Sequence, residues 1–256
     1  MHLDAQIRQF RADGNDVAVS FGGQRGQDLS IACHDAAALA DAYGTVISRY
    51  GLDVLDLDVE GSSAEPSAMR LRAEAVSRLQ AGRPDGQPLQ VWLTLPVTRS
   101  GLDSDGKNSV EAMLAAGVDV AGINIMTMNF GPLENGVSML AASRQAAEAT
   151  HQTLQQLYSQ AGMPADSAQT WRRIGLTPMI GDNDVRGNTF TLDDAAGLNS
   201  FAVEHGVGRL SLWSINRDTG CTIQEEWQRP SSHCSGIDQD TGDFANELSR
   251  GFTDSS

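Results

Sequence analysis

Residues 52–61 read Leu-Asp-Val-Leu-Asp-Leu-Asp-Val-Glu-Gly and set four carboxylates, Asp53, Asp56, Asp58 and Glu60, among aliphatic side chains. Successive residues of an extended strand point to opposite faces, so Asp56, Asp58 and Glu60 share one face while Leu55, Leu57 and Val59 take the other. Acids gathered in this way cannot all ionise freely. At least one is expected to hold a proton near neutral pH, which is what a general acid needs. A solvated edge strand is the usual fate of an acidic strand, but the flanking sequence argues against it here. A helix ending in Arg49-Tyr50-Gly51 comes before, and a Gly-Ser-Ser turn and a second helix come after. That is the setting of a parallel strand covered on both faces.

The four acids match the D-x-x-D-x-D-x-E signature of glycoside hydrolase family 18, the retaining chitinases, and the chain resembles that family at three further places. Ser20-Phe21-Gly22-Gly23 is similar to its S-x-G-G strand end, one βα unit upstream of the acids. Met126-Thr127-Met128-Asn129 lies where the family has M-x-Y-D, and Leu210-Ser211-Leu212-Trp213-Ser214 resembles its last strand, with the Trp that floors the sugar subsite. The order of the four motifs also agrees, and the resemblance spans about residues 16–220.

The resemblance implies substrate-assisted retention, in which the N-acetyl oxygen of the sugar attacks its own anomeric carbon; the family is a recognised exception to the two-carboxylate scheme. Glu60 would protonate the glycosidic oxygen. Asp58, about 7 Å away along the strand backbone, would accept a hydrogen bond from the acetamido N–H. Asp56 would share a proton with Asp58, and Asp53 and Ser20 would give structural support. Gly22, Gly23, Trp92, Met126, Met128, Asn129, Met179 and Trp213 are the residues expected to line the sugar groove. Trp171 and Trp227 read as core. The substrate class would be polymers of N-acetylglucosamine, with chitin first. The sequence Met128-Asn129-Phe130 departs from the family in lacking both the Tyr and the Asp of M-x-Y-D, and losing one preorganised donor costs about 10²–10³ in rate. That points to a slow enzyme. A chitin-binding, lectin-like protein and an endo-N-acetylglucosaminidase acting on N-glycans are the rivals.

These residues need a scaffold. Strand signals fall at 17–21, 54–59, 90–95, 120–128, 174–179 and 210–215, with helical segments between, and Leu3, Ile7 and Phe10 open the chain on a helix stopped by Gly14. Pro66 suits a first helical turn, Gly82 and Gly206 suit helix ends, and Thr191 with Asp194 reads as a capping box. The fold class expected is α/β, of the (β/α)8 TIM-barrel type, as one domain with its barrel core at about 16–220 and a C-terminal segment at 221–256. Six β units are countable where a closed barrel has eight. By the family's motif order the absent pair is the first two, so the barrel is expected to be incomplete at its N-terminal side.

Length and composition agree with this picture. A chain of 256 residues with 40% hydrophobic content suits one barrel. A net charge of -15 disfavours nucleic acid and suits a neutral polysaccharide. There is no run of the roughly 20 apolar residues that a membrane span needs. The expected partners are therefore chitin or its oligosaccharides, with neither nucleic acid nor membrane. Cys221 and Cys234 bracket a short polar loop and make a plausible disulfide, leaving Cys33 over, near the start of a helix. An extracellular location follows from the family, with the signal sequence upstream of Met1. The five histidines lack ligand spacing, and Asp182-Asn183-Asp184 lacks a full calcium loop. No cofactor or metal is expected.

Overall fold

A computed structural model describes residues 3–25, 28–84, 86–222 and 230–252. Trp227 lies outside the described residues. The chain divides into two compact units, Met1–Thr94 with Asp105–Ala121, and Leu95–Ser104 with Gly122–Ser256.

The first unit holds α1 (Leu3–Ala12), β1 (Val19–Gly22), α2 (Leu29–Ala32), α3 (Ala36–Tyr50), β2 (Val54–Asp58), α4 (Pro66–Ala81), the opening of β3 (Gln90–Thr98) and nearly all of α5 (Ser104–Ala115). Its strands are parallel in the order β1-β2-β3, with Ser20 opposite Asp56 and Gly22 opposite Asp58. On the other side Asp56 faces Trp92, and Asp58 faces Thr94. Leu55 and Leu57 are wholly buried, as are Leu39 and Tyr43 of α3 and Val76 of α4, so the aliphatic face of β2 belongs to the helix-covered core. Phe21 of β1 meets the Tyr43 ring edge-on at 4.8 Å. Helix punctuation follows the sequence: Asp35 caps α3 by accepting the Ala38 N–H, Gly51 ends it at φ 58, and Pro66 opens α4. Cys33 closes α2, which Asp28 starts by accepting the Ser30 N–H, and stands three residues before the first residue of α3.

The second unit takes the far end of β3, which turns back on β4 (Gly101–Leu102) with Val97 opposite Leu102. It continues with most of β5 (Val120–Met126), then α6 (Met139–Gln160), α7 (Ser167–Arg172), β6 (Ile174–Thr177), β7 (Gly181–Asp182), β8 (Thr189–Phe190), α8 (Leu192–His205), β9 (Arg209–Leu210) and α9 (Asp243–Ser249). Here β5, β6 and β9 run parallel in that order, with Asn124 opposite Gly175 and Leu176 opposite Leu210. A Cβ on Gly175 would stand 2.8 Å from Asn124 Oδ1 and 3.2 Å from Arg209 Cβ, so the middle strand has no room for a side chain there. Trp171 is core as expected, stacked on the His151 ring at 4.4 Å and edge-on to Phe201 at 5.6 Å. Thr191 and Asp194 form the capping box of α8, and Gly206 ends it at φ 68.

Six parallel strands therefore stand at the six expected places, with ends that differ from those the sequence implied: β3 runs on to Thr98, and β5 and β9 are among those that stop short. The strand expected over 120–128 stops at Met126, where the Met128 N–H turns back to the Met126 carbonyl at 2.9 Å. The strand expected over 210–215 is only Arg209–Leu210. The Ser211 and Trp213 N–H groups still reach the Leu176 and Pro178 carbonyls, at 2.9 and 2.8 Å. Pro178 has no N–H to return, so the ladder lapses and resumes as a single bridge between Met179 and Trp213.

After β9 the chain folds back over its own unit. Asp218, 2% exposed, accepts the Phe244 and Ala245 N–H groups and the Gln239 amide at 2.8–3.0 Å. Asn199 of α8 donates to the Leu248 carbonyl at 2.7 Å. The disulfide joins Cys221 to Cys234 with S–S 2.05 Å, and Cys33 is free.

Candidate active site

The end of β2 and the turn after it bring Asp56, Asp58 and Glu60 together, and the neighbouring strands dress them unequally. Asp56 is 7% exposed. Its carboxylate accepts the Ser20 hydroxyl at 2.6 Å from one side and the Thr94 hydroxyl at 2.9 and 3.1 Å from the other. Hydroxyl donors on both flanks hold a carboxylate in place at a site where water is scarce. Thr94 was not singled out in the sequence. Its signal was available, since parallel pairing puts residues in register on one face and sets Thr94 directly beside Asp58.

Asp58 makes its side-chain hydrogen bond to Glu60. Burial first, then the nearby Glu60 and Asp56 charges, push the Asp58 carboxyl up from 3.8 to about 7, and the bond to Glu60 adds to the rise. Burial also raises Glu60, while bonds from Asp58 and from the Gln24 backbone N–H hold it down. A carboxyl raised this far is part-protonated near neutral pH, and its bond to Glu60 puts both side chains within reach of one proton. The second Asp58 oxygen, Oδ1, is buried without a hydrogen-bond partner among the described residues. An acceptor left open in this way is ready for a donor on a ligand.

Gly22 and Gly23 make this arrangement possible. Gly22 sits at φ 110, and a Cβ there would come within 2.0 Å of the Asp58 carbonyl oxygen. Gly23, at φ 92, donates its N–H to that same oxygen at 3.0 Å. Both positive φ values favour glycine, so the end of β1 can lie flat against the acid strand.

Glu60 is held from behind. The Ser63 hydroxyl accepts the Glu60 N–H at 2.9 Å and donates to the Glu60 carbonyl at 2.8 Å. Arg72 of α4, 1% exposed, donates to the Ser63 carbonyl at 3.0 Å, to Asp28 at 3.1 Å and to the Ser30 hydroxyl at 3.0 Å. A buried cation thereby ties the acid-bearing turn to α2 and α4. Sequence reasoning passed over Arg72, whose only mark is its place on a helix face otherwise filled by Ala and Val. Asp53 stands apart from the trio at the other end of β2, where its exposed carboxylate pairs with Arg83 at 2.9 Å. Trp92 is in register with Asp56 and 6% exposed.

In the second unit the expected groove residues fall into two groups. Met126 and Met128 are half-buried at the end of β5, and Asn129 follows at φ 52 with its side chain already committed. Its amide donates to Asp184 at 3.2 Å and accepts the Val185 N–H at 3.2 Å, while its own N–H bonds the Asn183 side chain at 3.1 Å. Asn188 adds bonds to the Phe130 N–H and the Gly131 carbonyl, each at 2.9 Å. The Asp-Asn-Asp run is therefore a loop fastener. No cluster of metal-ligating side chains exists among the described residues. The other group is Met179 and Trp213. Met179 is 2% exposed and Trp213 43%, and the peptide bond after Trp213 is cis.

No family model matches the chain. It is 31% identical over 219 residues to a probable bifunctional chitinase/lysozyme of Escherichia coli K12, a match covering 84% of this chain and 24% of that protein. It is 31% identical over 226 residues to endochitinase 11 of Metarhizium anisopliae, covering 84% of this chain and 42% of the relative. The chain thus spans less than half the length of these two relatives. Among solved structures, the catalytic domain of a hyperthermophilic chitinase from Pyrococcus furiosus superposes with a TM-score of 0.84 at 29% identity, over 98% of this chain and 79% of that one. The α/β fold of TIM-barrel type expected from the sequence is thereby established.

Proposed function

We propose, for a chain that belongs to glycoside hydrolase family 18, the retaining, substrate-assisted hydrolysis of β-1,4 links between N-acetylglucosamine units of chitin or its oligosaccharides. The reading rests on one observation above the others: Asp58 bonds its side chain to Glu60, its own carboxyl raised so that it can hold a proton, and keeps a second oxygen with no partner among the described residues. Glu60 takes that proton and gives it to the glycosidic oxygen as the bond to the leaving sugar breaks. The acetamido oxygen of the remaining sugar closes on its own anomeric carbon, forming an oxazolinium ring. Asp58, now ionised, accepts the acetamido N–H and balances the positive charge. Water then adds to the anomeric carbon, Glu60 takes its proton, and the ring reopens with the configuration retained.

The surrounding groups have distinct tasks. Asp56, pinned by Ser20 and Thr94, supplies the fixed negative charge that favours the protonated form of Asp58. Gly22 and Gly23 leave the space above Asp58 bare. Trp213, 43% exposed, is the sugar floor and the half-buried Met126 and Met128 are apolar lining, whereas Met179, 2% exposed, belongs to the core and not to the groove expected from the sequence. Asn129, with its amide used within the loop, is a positioning residue whose place in the sequence matches the family's acidic one. Trp92 serves as packing beneath Asp56.

The Cys221–Cys234 disulfide supports secretion into an oxidising compartment. Among the described residues no helix is long and apolar enough to cross a membrane.

The test is hydrolysis of an aryl chitobioside and of chitohexaose by the parent and by Glu60→Gln. Turnover by the parent and its loss in the variant support the reading. A parent that binds chitohexaose and cleaves neither substrate is a lectin, and a variant as fast as the parent removes Glu60 from the chemistry.

A further inference from the structure

Among the described residues Arg217 is the most deeply buried cation of the second unit, at 0% exposure, and no acid there accepts a hydrogen bond from it. Its guanidinium donates instead to backbone carbonyls: Ile180 at 2.9 Å, Asp182 at 2.6 Å, Ser231 within the segment closed by the disulfide, and Ser235 directly after Cys234. The centre of the guanidinium lies 5.5 Å from the centroid of the Trp213 ring. The planar fork is thus locked at its edges by carbonyls from two separate stretches of chain and lies against the indole. The Trp213 backbone is held independently, through its N–H to Pro178 and its carbonyl to the Ile180 N–H at 3.1 Å.

We propose that Arg217 is a positioning residue for carbohydrate binding: it sets the plane of the Trp213 ring so that the exposed side of the indole meets a sugar ring flat. The inference rests on the reading of Trp213 as a sugar floor and adds what holds that floor. An indole fixed only at its Cα turns about two side-chain torsions, and a sugar must then bear the ordering cost when it binds. With Arg217 behind it the ring is set beforehand. The carbonyls of Ser231, inside the segment bridged by Cys221 and Cys234, and of Ser235, next to Cys234, make this support depend on the bridge, so the disulfide acts on the floor through the cation.

The experiment is a double-mutant cycle on chitohexaose binding, measured by calorimetry in a Glu60→Gln background so that no hydrolysis intervenes. Arg217→Met and Arg217→Lys are each made with Trp213 present and with Trp213→Ala. Arg217→Met is expected to weaken binding roughly tenfold with Trp213 present, in keeping with the strength of a desolvated cation–π contact, and to change it less than twofold in the Trp213→Ala background. Arg217→Lys keeps the charge without the planar fork. It should lie between parent and Arg217→Met, and it carries the test if Arg217→Met does not fold. Equal losses in both backgrounds would show that Arg217 only stabilises the fold, which overturns the proposal. If Trp213→Ala alone leaves chitohexaose binding unchanged, the sugar-floor reading fails and the positioning role falls with it, while cleavage of aryl chitobioside by the parent still tests the hydrolase reading separately.

Discussion

The two units hold their functional side chains by different means. In the first, the acids stand on a regular strand, and neighbouring strands touch them in register: Ser20 and Thr94 on Asp56, Gly22 and Gly23 against the Asp58 backbone. In the second, Asn129 and Trp213 lie beyond the strands, and other loops fix them through Asn183, Asn188 and Arg217 bonding backbone groups. A strand gives its residues orientation through a pattern that repeats every two positions. A loop has to be fastened bond by bond, by residues far away in sequence.

Substitutions can break this contrast. The largest effect should come from Glu60→Gln, which keeps size and hydrogen bonding but removes the acid. It should lower kcat on chitohexaose by about 10²–10⁴, and a loss below tenfold would take general-acid work away from the strand end. Thr94→Val should follow, since it strips one donor from a buried carboxylate. A stability loss of about 1–2 kcal/mol by urea unfolding is expected, with lower activity, whereas a neutral outcome would mean that Ser20 alone orients Asp56.

A smaller and pH-dependent effect is expected at Asp58. Folding raises this carboxyl to about 7, so the folded state favours its protonated form and loses stability as pH rises through the range from 4 to 7. Asp58→Asn, which cannot ionise, should therefore melt above the parent at pH 8, by on the order of 1 kcal/mol after allowance for solvent screening. It should show no such gain below pH 4. In the parent, kcat/KM should fall as pH rises through about 7, as the shared proton leaves the pair.

The smallest expected effect on binding tests the loop. Asn129→Gly suits the positive φ but loses both side-chain bonds, and Asn129→Ala loses the bonds and fits the φ badly. Alanine should cost about 1–2 kcal/mol and glycine about half of that. Chitohexaose binding in the glycine variant should stay within threefold of the parent. A larger loss would make Asn129 a sugar ligand and erase the difference between the units.

The same contrast decides what the sequence revealed. The acidic strand was legible because alternation of Leu and Asp is itself a structural statement, and the glycines before it announced a close approach of backbones. The helix ends at Gly51, Pro66 and Thr191 were legible for the same local reason. Arg217 and Arg72 were not, because each reaches a backbone carbonyl at least nine residues away, nor was the bond that Asn183 accepts from the distant Asn129 N–H, and such contacts leave no periodic trace. The last strand was read too long because its residues are good strand formers, and the missing donor belongs to Pro178 on the partner strand.

The bare corner at Gly22 carries a consequence for how this molecule can be altered. Any larger residue there collides with the main chain of Asp58, which cannot step aside without dragging the acid along. That position is closed to redesign. New preferences would have to be written into loops fastened by side chains, where one bond can be exchanged at a time.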